Sequence, residues 1–233
     1  MLLLDAGNAL WSNQPLAEQS QGKIIVDAMN LMGYDAMAIG DLDLQLGPEV
    51  LRQRIAEATF PILSANVTLA SDGKLLAQPY TLREVGGRKI GIIGLTWDAT
   101  QPTSAATPQP FVLLKADDVL AKYVAELGKQ TDIIIVLSNM GHDEDVRLSS
   151  LVPGIDLIVG SRSRLPLSEA FHNEQTGTYI VQAGSQGAWI GRRHLHLDSG
   201  GAVTGYSDEL LYLTDAYADD PELRAFLDNY KVQ

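Results

Sequence analysis

The chain has 233 residues, 45% of them hydrophobic, and its 29 acidic against 17 basic residues give a formal net charge of −12. That length makes one large domain with a sizeable core, and the acidity, with no Lys/Arg run, argues against a nucleic-acid or anionic-membrane partner. No apolar run approaches the roughly 20 residues of a membrane helix, and the absence of cysteine excludes thiol catalysis, cysteine-ligated metals and disulfides while leaving the compartment open.

Met1-Leu2-Leu3-Leu4 lacks a basic flank and runs straight into Asp5, so it reads as a strand and not as a signal peptide. Ile24, Ile25, Ala28, Met29 and Met32 recur at helical spacing up to Gly33, a C-cap glycine, and Ala36 to Ile39 is the next strand. A second helix opens at Pro48, with Val50, Leu51, Ile55 and Ala58 on one face, and Pro61 ends it before the strand Ile62-Leu63-Ser64. Lys74 to Leu76, Tyr80 to Val85 and Lys89 to Gly94 read as a meander turning at Asp72-Gly73 and Gly86-Gly87.

Residues 98–110, with Pro102, Pro108 and Pro110, read as a surface loop. Val119, Leu120, Tyr123, Val124 and Leu127 form an amphipathic helix ending at Gly128, before the wholly apolar strand Ile133 to Leu137. A short helix around Asp145 to Leu151 stops before Pro153-Gly154, and Leu157 to Val159 is a further strand. Tyr179 to Ala183, Trp189 to Leu197 and Gly205 to Leu213 alternate like antiparallel strands, and Pro221 to Tyr230 reads as a closing helix. Strands alternating with helices make this an α/β chain.

In α/β proteins the chemistry sits at the C-terminal ends of strands. Four segments stand there: Asp5-Ala6-Gly7-Asn8, Gly40-Asp41-Leu42-Asp43, Leu137-Ser138-Asn139-Met140-Gly141 and Gly160-Ser161-Arg162-Ser163-Arg164. Their order and spacing resemble the catalytic domain of the 5′-nucleotidase branch of the calcineurin-like metallophosphoesterases. The motifs there run Asp-x-His, Asp-Ala-Gly-Asp, Gly-Asn-His-Asp/Glu, Leu-Ser-His-x-Gly and Gly-His-Ser-His. The segments from Phe60 to Val67, Arg88 to Thr96, Val152 to Gly160 and Val181 to Ser185 are similar to the same family, so the likeness extends over nearly the whole chain. It implies a four-layer α-β-β-α sandwich of two mixed sheets, as a single domain over residues 1–233 without the family's C-terminal nucleotide-binding domain.

The family's two divalent metals clamp a phosphate and activate a water. Residue by residue, the resemblance places its bridging aspartate on Asn8, its ligand asparagine on Asp41, its catalytic histidine on Leu42 and the neighbouring acid on Asp43. Its three later histidine ligands fall on Asn139, Arg162 and Arg164. Leucine moves no proton, and a protonated arginine ligates no metal. The Asp-x-His motif has no counterpart in this sequence. A partner's strand could fill that place, the sheet could rearrange, or the true start could lie upstream.

The resulting expectation is a domain that has lost its dinuclear site, with no cofactor, serving as an inactive binding or structural subunit beside another protein chain. One alternative is a metal-dependent phosphoester hydrolase acting on nucleotides or other small phosphomonoesters, with Mn or Mg at a residual site of Asp41, Asp43, Asn8 and Asn139. Another is a metal-free sensor binding phosphate or sulfate through Arg162 and Arg164, which otherwise pair with Asp41, Asp43 or Asp5. The family is often exported.

Other polar clusters carry less. His194-x-His196 puts two imidazoles on one strand face beside Arg192-Arg193, with no third ligand identifiable; His142 with Asp143, Glu144 and Asp145 reads as an acidic helix start. Trp97, Trp11 and Trp189 read as packing residues, Trp97 near the strand ends. Gly86-Gly87 and Gly200-Gly201 read as hairpin turns.

Overall fold

A computed structural model describes residues 1–97, 110–198 and 203–231. The loop read over residues 98–110, apart from Pro110, and the Gly200-Gly201 turn lie outside the described residues.

The first half runs β1 (Leu4–Asp5), α1 (Pro15–Gln19), α2 (Lys23–Met32), β2 (Ala36–Ala38), a 3₁₀ turn (Asp43–Leu46), α3 (Gly47–Glu57), β3 (Ile62–Leu63) and β4 (Val67–Leu69). The centre holds β5 (Tyr80–Val85), β6 (Arg88–Thr96), β7 (Phe111–Leu113), α4 (Ala116–Leu127) and β8 (Ile133–Asn139). Then follow α5 (His142–Leu151), β9 (Leu157–Gly160), β10 (Phe171–Asn173), β11 (Thr178–Val181), β12 (Trp189–Leu197), β13 (Val203–Tyr212) and α6 (Pro221–Asn229).

Strands β1, β2 and β3 form one parallel sheet, and the second runs β10-β11-β9-β8-β6-β5. The four inner strands of the second sheet are parallel, which is why Ile133 to Asn139 is buried at every position. Strands β5 and β10 pair antiparallel at its margins. Two ladders stand apart, β4 with β7 and β12 with β13.

Three apolar clusters define the layers. One packs α2 and α3 residues, Val26, Met29 and Leu51, against Met37 and Ile62 of the small sheet. A second lies between the sheets, with Ala36, Ala38 and Leu63 facing Ile90, Ile92, Ile135 and Leu137. A third seats Leu120, Val124 and Leu127 of α4 and Leu148 of α5 on Ile93, Val136 and Ile158. The architecture is the four-layer α-β-β-α sandwich. The alternation of cluster membership along β8, with Ile133 and Ile135 inward and Ile134 and Val136 toward α4, is the period of two expected of a strand.

The sheets are joined at one end by Asn66. This fully buried amide accepts from Thr96 N at 2.9 Å and donates to Thr96 O at 2.6 Å. Thr96 Oγ1 in turn donates to Ile39 O at 2.7 Å, and Ala65 N donates to Gly94 O at 2.8 Å.

Local expectations hold in most places. Gly33 caps α2 at φ 73°, and the β5–β6 hairpin turns through Gly86 and Gly87 at φ 60° and 75°, as its two-residue loop requires. Three differ. Lys74 to Leu76 is not a strand; it lies antiparallel along the three residues of β4, with Leu75 alone bridging to Thr68, too short a contact for a ladder. The Tyr179 strand joins the parallel centre beside β9 and is antiparallel only to β10. Helix α5 starts at His142, three residues before the expected Asp145. Among the described residues no helix is long and apolar enough to cross a membrane.

Candidate functional site

Parallel pairing of β1 with β2 and of β8 with β9 brings the four predicted loops to one margin, half from each sheet. Ser161 ties the halves together: its Oγ donates to Ala6 O at 2.7 Å and accepts from Asn139 Nδ2 at 2.9 Å. The Asn139 Oδ1 accepts from Asp41 N at 2.8 Å.

Asn8 occupies the left-handed region at φ 66°, which asparagine tolerates better than most residues. Its Nδ2 donates to Asp41 Oδ1 at 2.9 Å, and its Oδ1 accepts from Leu42 N at 2.9 Å. A Cβ on Gly40 would stand 2.0 Å from that Oδ1, so only glycine allows the two loops to touch. The Leu42 side chain is half-buried.

Asp43 faces away from this mouth. Fully buried, it accepts backbone N–H bonds from Asn8, Leu10, Trp11 and Gly40, at 2.9 to 3.1 Å. Desolvation pushes its carboxyl up to about 6, against the lowering effect of the Gly40, Trp11 and Asn8 donors, and the neighbouring Asp5 adds to the rise. Asp5 is itself raised to about 6 by desolvation, partly offset by the bond from Gly7 N. Asp43 is thus the peg on which both first-sheet loops hang.

Arg162 reaches Asp41. Its Nε lies 3.4 Å from Asp41 Oδ2, and its guanidinium carbon sits 3.7 Å from the ring centroid of Trp97, a buried side chain at the end of β6. Arg164, two residues on, is exposed and makes no ion pair among the described residues. Both adopt left-handed backbone, at φ 68° and 60°. The two forks do not converge on one point: the first is drawn to Asp41 and the second faces solvent.

Beneath the second-sheet loops lies a network that sequence reading missed. Asp145, read as part of an acidic helix start, is fully buried; its Oδ1 accepts a short bond from Ser138 Oγ, and its Oδ2 has no hydrogen-bond partner among the described residues. Burial raises its pKa well above the usual carboxylate range. Ser163 Oγ donates to Gln182 Oε1 at 2.8 Å, and Gln182 Nε2 donates to Leu165 O at 2.5 Å, so the arginine loop is held from below. The only sequence signal for Asp145 was its position one helical turn beyond Gly141.

The remaining candidates are dispersed. Glu144 pairs with Arg147, and the His142 ring lies edge-on to Phe171. His194 and His196 are exposed, the latter within 3.1 Å of Ser207 Oγ, and Trp189 packs on Tyr212. Among the described residues no group of three or more His, Cys, Asp or Glu side chains is placed to hold a metal ion.

No protein-family model matches the chain. Protein UshA of Yersinia enterocolitica is 31% identical over 100% of this chain and 51% of its own length. The crystal structure of a 5′-nucleotidase precursor from Thermus thermophilus superposes with a TM-score of 0.87 at 30% identity, covering 97% of this chain and 48% of that one. The chain is a 5′-nucleotidase-like domain of the calcineurin-like phosphoesterase family. Its fold recurs in the calcineurin-like phosphoesterase YfkN of Bacillus subtilis, with a TM-score of 0.81 at 22% identity over 97% of this chain and 82% of that one. The chain spans about half or less of the length of the curated relatives it matches. In this calcineurin-like domain the margin built by the four loops is the one that the motif resemblance marks as the family's centre.

Proposed function

We propose that this domain keeps the phosphoesterase frame and uses its strand-end centre without metals, as a non-hydrolytic binding or structural unit that works beside another protein chain. The supporting observation is Asp41, a carboxylate at the mouth whose oxygens are both engaged: one accepts from Asn8 and the other faces Arg162. A pair of divalent cations calls for several carboxylate or imidazole ligands. The centre supplies Asp41, the amides of Asn8 and Asn139, and the cations Arg162 and Arg164, a set that does not fit such a pair, and Asp43 spends its oxygens on backbone donors. Leu42 neither donates nor accepts a proton.

A second reading is a metal-dependent phosphoester hydrolase using Mn or Mg, favoured by the identity with a 5′-nucleotidase precursor. A third is capture of phosphate or sulfate by the exposed Arg164, with Arg162 released from Asp41.

Metal analysis of the purified protein, with hydrolysis of a phosphate monoester in the presence of Mn and of chelator, separates these readings. The expected result is no stoichiometric metal and no turnover. Chelator-sensitive turnover would replace the first reading with the second, and phosphate affinity lost in Arg164→Ala would establish the third.

A further inference from the structure

We infer that the face of Trp97 above Asp41 is a guanidinium-binding site, which the chain fills with its own Arg162. The inference deepens the metal-free reading of the centre and rests on it, but its test reads no hydrolysis, so the two can fail separately.

The receiving half of the site, Trp97 and Asp41, lies outside the arginine loop, which meets it only through the bond from Asn139 Nδ2 to Ser161 Oγ. Trp97 is 6% exposed and packs in the same cluster as Leu95, Val119 and Met140, so its ring is a fixed wall. Asp41 is held from two sides, through its backbone N–H by Asn139 and through Oδ1 by the Asn8 amide, leaving Oδ2 turned toward the indole-bound cation. A flat aromatic face beside one carboxylate oxygen suits a planar, weakly hydrated cation, which stacks and pairs at once. An ammonium is compact and strongly hydrated, so it cannot lie flat on the ring while it pairs with the carboxylate and is held less well.

The occupant arrives under local constraint. Arg162 has φ 68°, a conformation that residues with a Cβ rarely adopt, so the Ser161–Arg164 backbone is held against its intrinsic preference. Ser161 and Ser163 anchor that loop on either side of the arginine, through Ala6 O and Gln182 Oε1. Among the described residues the guanidinium contacts the indole and Asp41. With 31% of its side chain exposed, Arg162 closes a site that opens to solvent, so a small guanidino compound can enter once the side chain is removed.

Arg162→Ala keeps the Cβ, and hence the backbone constraint, while emptying the site. Its thermal midpoint should fall by about 2–4 °C. Millimolar methylguanidinium should restore at least half of that loss, and methylammonium at the same concentration should not. Methylguanidinium should also shift the emission of Trp97, isolated by subtracting a Trp97→Phe background from the signal of the chain's three tryptophans. The response should vanish in Asp41→Asn/Arg162→Ala. If Arg162→Ala does not accumulate folded, refolding yield with and without methylguanidinium is the readout, and recovery only with the guanidino compound supports the site. Equal responses to both amines, no response to either, protection by Mn alone, or a response that survives removal of Asp41 would each overturn it.

Discussion

Asn8 and Asp41 touch directly, the amide Nδ2 donating to the carboxylate Oδ1 across 2.9 Å between the ends of adjacent parallel strands. The amide supplies a donor where a second carboxylate would supply only repulsion. Asn8→Asp should therefore destabilise the fold by about 1–2 kcal/mol at pH 7.5 and by less at pH 5, since two like charges in contact repel less as the solution becomes more acidic. Urea denaturation at the two pH values checks this; equal stability at both would show that the contact carries little.

Asp43 satisfies four backbone donors from two loops. Asp43→Ala leaves them buried without an acceptor and should cost about 3 kcal/mol or more. Asp43→Asn, which keeps one acceptor oxygen, should lose less. A denaturation midpoint unchanged in the alanine variant would mean that the loops find other partners.

The pH dependence has an unusual sign. Asp5 and Asp43 are both raised to about 6 by desolvation, above the ordinary carboxylate value of 3.8, so the folded chain holds these protons more tightly than the unfolded chain. Their contribution is fully present below the unfolded value and is lost as pH rises through about 6. Thermal scans should give a higher midpoint at pH 5 than at pH 7.5. Asp5→Asn, which can still accept from Gly7 N, should flatten that slope; a wild-type midpoint that climbs from pH 5 to 7.5 contradicts the assignment.

Arg164 has φ 60° and points to solvent with no ion pair among the described residues. Arg164→Gly should leave stability unchanged or raise it by up to about 1 kcal/mol, since glycine accepts the left-handed region. Gly40→Ala is the contrasting case. Its Cβ would stand 2.4 Å from Asn8 N and 2.0 Å from Asn8 Oδ1, and little folded protein is expected.

Much of the frame was legible because its signals are local. Ile133 to Leu137 is apolar at every position, as a strand covered on both faces must be, and the α4 stripe from Val119 to Leu127 repeats at helical spacing. Helix α1 was not legible, since Pro15–Gln19 is a single turn with only Ala17 buried. The β4–β7 ladder pairs three residues on each side across more than 40 positions, and no periodicity announces such a partner. At the centre, the sequence placed Asn8, Asp41, Asn139 and Arg162 at strand ends, and the structure joins them through hydrogen bonds and one ion pair. The seat of Arg162 on Trp97 and the burial of Asp145 under Gly160 depend on how two sheets and a helix stack, which spacing along one chain does not encode.

The amide of Asn66 grips both backbone groups of Thr96 at the margin that carries the four loops, whereas the opposite margin ends in the exposed Gly86-Gly87 turn. The sandwich therefore has a spine and a free fore-edge. Thermal breathing should part the layers from the hairpin side first, with the amide protons of Ala65 and Thr96 among the last to exchange with solvent. The loops sit along the spine, where the two sheets should move least relative to each other.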